Sequence, residues 1–129
     1  FQKYVNRLYN LQQEYQKYSN LVKYCMLLLV HHLNYIYGVN ATGYCFVTGV
    51  GTLYPQHPHH RVCEVLEKCV PGMLVGGPNS NLEDPYAKAV FTETPAAKCY
   101  EDNAQSFSVN EVTIYWNSPL IYLLTAAQK

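Results

Sequence analysis

The distribution of glycine and proline is the feature of this sequence that most constrains its fold. All seven glycines lie between Gly38 and Gly77, and six of the seven prolines lie between Pro55 and Pro95. This middle stretch of about seventy residues shows almost no helix or strand periodicity. Loops of that length are uncommon in a compact domain unless they are functional. We therefore expect a long functional loop region here.

The segments on either side of the loop region have the period of α-helices. In the first third of the chain, apolar and aromatic side chains recur at alternating steps of four and three residues, at Leu11, Tyr15, Tyr18, Val22, Cys25, Leu29, His32 and Ile36. Further leucines widen this stripe, so we expect a well-buried helix that ends at Gly38. A second helix is expected from Val109 to Ala127, with a kink or break at Pro119, because proline removes one backbone hydrogen bond.

Two helices cannot by themselves cover such a long loop region. The length of 129 residues permits one ordinary domain, and the hydrophobic share of 49% permits a packed core. We therefore expect an all-α chain that is one part of a larger protein, whose other helices complete the core. A start at Phe1 rather than Met is also expected of a processed or partial chain.

The charge balance argues against two classes of partner. Lysine and arginine together number nine, as do aspartate and glutamate, and the isoelectric point is near 7.1. Nucleic acid and anionic membrane surfaces call for a basic patch, so we expect neither as a partner. The longest apolar run, from Cys25 to Val30, is far shorter than the roughly 20 residues of a membrane span.

The five cysteines are an odd number, so at least one stays free or pairs outside this chain. Cys63 and Cys69 flank a short, loop-like stretch, and they are the pair we expect to form if the protein is secreted. None of the cysteines has the C-x-x-C spacing of a zinc or redox site.

A first group of chemically useful residues lies in the loop region around His59. Glycines and prolines precede this histidine, and Arg61 offers a rigid fork of donors beside it. Polar donors on a rigid loop suit a hydroxyl-rich ligand. His57, His59 and His60 could instead bind a metal, but no carboxylate or cysteine completes the ligand set at a convincing spacing, so we predict no metal site. A loop of surface histidines is the third alternative.

A second group contains two carboxylates, Asp102 and Glu111, just before and at the start of the last expected helix. Spacing alone favours a structural role for Glu111, because Ser108-x-x-Glu111 has the pattern of a helix-capping box. A helix start also favours the ionised carboxylate, whereas a general acid must hold its proton. Capping and catalysis therefore both remain open from the residues alone.

Both groups resemble the two active-site signatures of glycoside hydrolase family 9, which contains endoglucanases and cellobiohydrolases. The second signature is matched at Tyr100, Asp102, Phe107, Glu111, Thr113, Asn117 and Ser118. The first is matched at Phe46, Val47, Gly49, Gly51, Pro58, His59, His60 and Arg61. Residues 70–79 are similar to the segment that links these signatures, and residues 37–40 resemble the family's helix exit. The resemblance runs from about Asn34 to Leu124, in the family's order.

The resemblance implies a fold and an activity. Residues 1–129 would form the carboxy-terminal portion of an (α/α)6 barrel, in which two main helices are joined by a long active-site loop region. The family hydrolyses β-1,4-glucans, mainly cellulose, with inversion at the anomeric carbon. A β-glucan is therefore the implied substrate, and secretion is the implied location.

The resemblance also implies roles for individual residues. Glu111 stands at the proton-donor position, and Asp102 stands at the second carboxylate, which supports the acid. His59 and Arg61 match residues that bind sugar hydroxyls near the point of cleavage. Trp116 stands where the family often has an aromatic ring near the same subsites, and we count His60 and Tyr44 among the expected substrate-binding residues.

Three substitutions depart from the family pattern: Cys45 stands for Ser or Thr, Leu53 for a polar residue, and Val39 for Asp. Each removes a polar group near the expected cleft, which leaves the substrate preference open. No cofactor is required by the resemblance. Calcium is common in the family, and Glu83 and Asp84 lie in a loop that could hold it.

The catalytic base of the family comes from an Asp-Ala-Gly-Asp segment, and these 129 residues contain none. We therefore expect this chain to be inactive alone and to act with the amino-terminal remainder of the same catalytic domain. Two other functions stay open: a non-catalytic carbohydrate-binding fragment, and a structural remnant without affinity for sugars.

Overall fold

The structure is a computed structural model that describes residues 2–128, with side chains from residue 5 onward. The described residues form five α-helices: α1 (Gln2–Ile36), α2 (Arg61–Leu66), α3 (Pro85–Val90), α4 (Phe107–Asn110) and α5 (Ile114–Ala127). A single 3-10 turn, Ala96–Lys98, precedes α4. Within this range, β-type pairing occurs only as isolated bridges. The predicted all-α class, with two main helices and a long loop region between them, is confirmed.

The chain divides into two compact units, one ending at His32 and the other beginning at Leu33. The first unit is a single helical segment, and its apolar stripe is exposed: Tyr15 is 75% exposed and Val22 60%. The prediction that this helix is well buried is therefore wrong for this chain. A lone helix has no second layer within its own unit against which an apolar face can pack.

Helix α1 ends as its sequence predicts. The N–H of Val39 donates to the carbonyl of Asn34 at 2.9 Å, and the N–H of Gly38 donates to that of Tyr35 at 3.3 Å. Gly38 has a φ of 110°, a conformation that costs little only without a Cβ. These two bonds form a Schellman motif, which satisfies carbonyls that the end of the helix leaves without partners.

The core of the second unit is built largely by the loop region. Its buried members are Cys45, Phe46, Val47, Leu74, Val75, Tyr100, Val109 and Leu120. Isolated antiparallel bridges join Val47 to Leu74 and Val75 to Val112. Phe46 packs edge-on against Tyr100, with ring centroids 5.0 Å apart. These contacts join the segments at residues 46–47, 74–75 and 100 to one another, and the bridge of Val75 joins them to Val112, just before α5.

Helix α5 begins later than predicted, and it has no break at Pro119. It begins at Ile114 rather than Val109, because Glu111 and Val112 are taken into backbone pairing with other segments. It also runs through Pro119 to Ala127 without a break. A proline removes one bond of the helical ladder, and the remaining bonds keep this helix continuous.

No helix among residues 2–128 has the length and hydropathy that crossing a membrane requires.

Candidate active site

His59 and Glu111 lie side by side, although they are far apart in sequence. They are the two residues of an isolated parallel bridge, in which the N–H of His59 donates to the carbonyl of Asn110 at 2.9 Å. Glu111 has φ −74° and ψ 145°, which is extended backbone. The bridge therefore joins the histidine loop to the expected proton donor through the main chain.

The alternative role of Glu111 as a capping-box residue is wrong. Glu111 follows the last residue of α4, and the N-cap of α5 is Thr113. Ser108, the other half of the expected box, donates its N–H to the Asp84 carboxylate at 3.0 Å, and its hydroxyl bonds the same oxygen. Because Glu111 is extended, its side chain takes no part in starting a helix.

A cavity of about 500 Å³ lies over the bridge between His59 and Glu111. Its lining consists of His59, His60, Arg61, Glu64, Glu111 and Val112. Four of the seven predicted site residues therefore meet in one cavity. A carboxyl group, two imidazoles and a guanidinium together can donate protons and bind hydroxyl groups.

The other three predicted residues lie outside that lining. Asp102 contacts the backbone of the histidine loop at Gln56 and His57. Tyr44 packs edge-on against Tyr100, with ring centroids 5.0 Å apart, and belongs to the margin of the core. Trp116 lies against Gly76 and is 36% exposed. The structure thus supplies no contact between these two aromatic rings and the cavity.

Asp102 fastens the loop that leads to His59. Its carboxylate accepts the backbone N–H groups of Gln56 at 2.7 Å and His57 at 2.9 Å. It also accepts the side-chain amide of Asn110 at 3.1 Å. Three donors on one carboxylate hold the approach to His59 against the segment that carries Glu111.

The ring of His59 is oriented by the backbone. Its Nδ1 lies 2.6 Å from the carbonyl oxygen of Ala104. A carbonyl can only accept, so Nδ1 carries the hydrogen and Nε2 remains available to another partner. Glu64 comes within 3.9 Å of the same Nδ1, but both side chains are more than 40% exposed, so solvent screens any attraction between them.

Two residues of the site were not foreseen from the sequence. Glu64 is the third residue after Arg61, and because α2 begins at Arg61, this spacing brings both to one side of the helix. That spacing could have identified Glu64 had the short helix been expected. Asn110 precedes Glu111 and is fully buried. Nothing in the local pattern distinguishes it from other asparagines.

Asp84 has a structural role in the fold. It is fully buried at the N-cap of α3 and accepts the N–H of Ala87 at 2.6 Å. Ser106 and Ser108 donate to its other oxygen. Burial alone raises the pKa of Asp84, but these hydrogen bonds outweigh it and hold the pKa below its ordinary value. Both carboxylate oxygens are therefore already used.

The neighbouring Glu83 accepts the side-chain amide of Asn79 at 2.7 Å. Within residues 2–128, no group of three or more histidine, cysteine or carboxylate side chains is arranged to hold a metal ion. The two carboxylates of the loop that could hold calcium are thus engaged in protein contacts, in which Asp84 caps a helix and ties the segment before Glu111.

Cys63 and Cys69 meet as predicted, but as two thiols rather than a disulfide. Their sulfur atoms lie 3.4 Å apart, and all five cysteines of the chain are free. Burial, followed by the contact with Cys63, raises the pKa of Cys69 to about 12. Cys63 also lies 3.6 Å from Nδ1 of His60, so the pair adjoins the cavity.

Asn40 uses every hydrogen-bonding position of its side chain. Its Nδ2 donates to the carbonyls of Tyr35 at 2.7 Å and Tyr44 at 2.8 Å. Its Oδ1 accepts from Thr42 and Gly43. The sequence Asn40-Ala41-Thr42 has the form of a glycosylation acceptor, but this amide holds the turn after α1.

Comparison with known proteins extends these observations. The sequence model of glycosyl hydrolase family 9 matches residues 2–124. The chain is 42% identical over 97 residues to the xyloglucan-specific endo-beta-1,4-glucanase BoGH9A of Bacteroides ovatus. It is 42% identical over 102 residues to a cellodextrinase of Butyrivibrio fibrisolvens. These matches cover 74% and 77% of this chain.

A solved structure, AaCel9A in complex with cellobiose-like isofagomine, superposes on this chain with a TM-score of 0.67 and 46% sequence identity. The superposition covers 71% of this chain and 18% of the other. The chain likewise spans only 16% and 19% of the lengths of the two curated relatives. The likeness is thus high in sequence and in fold, and it concerns a small part of each relative.

Proposed function

Because this chain belongs to glycosyl hydrolase family 9, we propose that it forms the carboxy-terminal portion of a catalytic domain that hydrolyses β-1,4-glucosidic bonds in cellulose or related β-glucans. The single observation that carries the proposal is the meeting of Glu111 with His59 and Arg61 around one cavity. Residues 1–129 constitute one part of that domain, and its polymeric substrate is reached outside the cell.

In the proposed reaction, Glu111 is the general acid. It protonates the glycosidic oxygen as the bond to the leaving sugar breaks. Its extended backbone supports this role, because the side chain is not committed to the start of a helix. A general acid must keep its proton until reaction, which burial and a second carboxylate favour. Bound sugar and the remainder of the domain would supply that environment.

His59, His60 and Arg61 bind the sugar next to the bond that breaks. The ring of His59 is held through Nδ1, which leaves Nε2 to accept from, or donate to, a hydroxyl group. Arg61 offers a planar fork of donors in the same cavity. Asp102 contributes by holding the histidine loop, because its oxygens are already engaged by backbone and amide donors.

Inversion requires a second carboxyl group that activates water on the opposite face of the sugar, roughly 6.5–9.5 Å from the acid. Asp102 is unsuited to that task because its carboxylate is used in fastening the loop. We therefore propose that the base comes from the amino-terminal remainder of the domain, and that this chain alone is inactive. The exposed apolar side chains of Tyr15, Val22 and Tyr122 support such a partner, since its helices would cover them.

The proposal is tested with two proteins. The first is this chain alone, assayed on a soluble β-glucan; no turnover is expected. The second is a chimera in which this chain replaces the matched segment of the Butyrivibrio cellodextrinase; here hydrolysis of cello-oligosaccharides with inversion is expected. A folded chimera that binds cello-oligosaccharides without cleaving them would instead support the carbohydrate-binding alternative. A folded chimera that neither binds nor cleaves them would support a structural remnant.

A further inference from the structure

We infer that Asn110, held by Tyr100, is the positioning residue that keeps the acid Glu111 in register with His59. The inference rests on the proposed function, since it concerns the general acid of that reaction. Asn110 is not among the residues that line the cavity. It acts through His59 and Glu111, which do line the cavity.

The side chain of Asn110 bonds three residues, which belong to two other segments of the chain. Its Nδ2 donates to the carbonyl of His57 at 2.9 Å and to the Asp102 carboxylate at 3.1 Å. Its Oδ1 accepts the hydroxyl of Tyr100 at 2.7 Å. Asn110 itself is 0% exposed, and its bond to Tyr100 is buried on both sides, away from competing water.

The backbone of Asn110 completes the connection. Its carbonyl accepts the N–H of His59 at 2.9 Å, which is the bond of the bridge between His59 and Glu111. Its own N–H donates to the carbonyl of Ser106 at 2.9 Å. Asn110 therefore fixes the position of the histidine loop through its carbonyl. Through its N–H, it also fixes the point at which the chain leaves α4 for the extended backbone of Glu111.

Tyr100 is suited to hold this amide in one orientation. Its ring is buried between Phe46 and Tyr44, with ring centroids 5.0 Å away in each case. Burial, with a smaller contribution from Asp102, raises the pKa of the Tyr100 hydroxyl above its ordinary value, so the hydroxyl remains a donor. A fixed donor at Oδ1 directs the two Nδ2 hydrogens toward His57 and Asp102.

A displaced acid and a merely weakened fold have different kinetic signatures. Cleavage between two glucose units needs proton donation, because the leaving alcohol is a poor leaving group. A 2,4-dinitrophenyl leaving group departs without a proton. A variant that misplaces Glu111 therefore loses activity on cello-oligosaccharides far more than on 2,4-dinitrophenyl β-cellobioside, whereas general loss of folded enzyme lowers both rates equally.

The experiment measures kcat and KM on both substrates in the active chimera. Asn110→Asp keeps the acceptor for Tyr100 and removes both Nδ2 donors. It is expected to lower kcat on cello-oligosaccharides about 10²-fold, as a displacement of catalytic groups near 1 Å does. On the dinitrophenyl substrate the loss should stay under about tenfold, because the acid step contributes little there.

Asn40→Asp is the matched control, since Asn40 Nδ2 likewise donates two hydrogen bonds, here to the carbonyls of Tyr35 and Tyr44, and Asn40 lies outside the cavity. It should leave the ratio of the two rates unchanged. Tyr100→Phe keeps the buried ring and is expected to cost about fivefold on cello-oligosaccharides, again with less effect on the dinitrophenyl substrate.

Equal losses on both substrates for Asn110→Asp, or unchanged kinetics for Tyr100→Phe, would overturn the positioning role while leaving the proposed function intact. A folded but inactive parent chimera would overturn the proposed function and this inference with it. If Asn110→Asp does not fold, the Tyr100→Phe kinetics decide.

Discussion

Ser108 donates its backbone N–H to the buried carboxylate of Asp84 at 3.0 Å, and its hydroxyl bonds the same oxygen. This contact ties the start of α3 to the segment that ends at Glu111. It also explains why Ser108 does not serve as half of a capping box. The Asp84 carboxylate, which does not line the cavity, therefore helps to hold the segment that carries the candidate acid Glu111.

Asp84→Asn should destabilise the second unit. The amide replaces one acceptor oxygen by an NH₂ group that faces donors, and a buried charged acceptor is lost. We expect the free energy of unfolding to fall by about 2 kcal/mol, measured by denaturant unfolding. Glu83→Gln is the control, because Glu83 is exposed and its loss should change stability by less than about 0.5 kcal/mol. Equal stability of both variants would contradict the structural role of Asp84.

The same carboxylate predicts the acid sensitivity of the fold. Because the pKa of Asp84 is lower in the folded protein than the ordinary 3.8, the charged form stabilises the fold above pH 3.8. This contribution is lost as the pH falls through the folded pKa. Unfolding midpoints measured from pH 6 to pH 2 should therefore fall more steeply below about pH 4 for the parent than for Asp84→Asn. Parallel curves would rule out this linkage.

Glu111→Gln should remove proton donation and leave the fold intact. In the chimera, we expect kcat on cello-oligosaccharides to fall by about 10²–10⁴-fold, with little change on 2,4-dinitrophenyl β-cellobioside. The unfolding midpoint should remain that of the parent, since Glu111 makes no capping bond. Activity on cello-oligosaccharides within a few-fold of the parent would show that Glu111 is not the acid.

Cys63 and Cys69 should form a disulfide in the presence of a small disulfide such as oxidised glutathione. Thiolate attack forms a mixed disulfide, and the second thiol then displaces the glutathione, so two thiols are lost and two glutathione thiols appear. The two protein thiols lost to this disulfide should be those of Cys63 and Cys69. The reaction should be faster at alkaline pH, because the pKa of Cys69 is raised to about 12.

The matched variants for this oxidation are Cys63→Ser and Cys99→Ser. The first should abolish the intramolecular disulfide, and the second should leave it unchanged, because Cys99 lies in a separate buried cluster. Mass spectrometry of proteolytic fragments identifies the pair. A disulfide that survives in Cys63→Ser would refute the assignment.

Local sequence was sufficient where the deciding interactions are local. The end of α1 follows from Gly38, because only glycine takes the required φ without strain and both bonds of the motif lie within six residues. The family could be recognised from the spacing of Glu111, Asp102 and the histidine loop, and the match to residues 2–124 bears this out.

The start of α5 could not be found in the same way. Periodicity continues back to Val109, and a helix there would satisfy local preferences. The bridges of Glu111 with His59 and of Val112 with Val75 use the backbone groups that a longer helix would need. The bridges form instead of that helix, and Val75 and Val109 are buried. This competition between local and tertiary hydrogen bonds is invisible to any window of sequence.

The sequence by itself therefore determined the helical class and the family. The tertiary structure alone decided that Glu111 is extended, that Asp102 holds the loop from behind, and that Asn110 joins the two. The physical reason is the separation along the chain over which each kind of interaction acts. Capping and periodicity act over a few residues, whereas the orientation of a catalytic side chain depends on partners such as His57, which lies 53 positions away from Asn110.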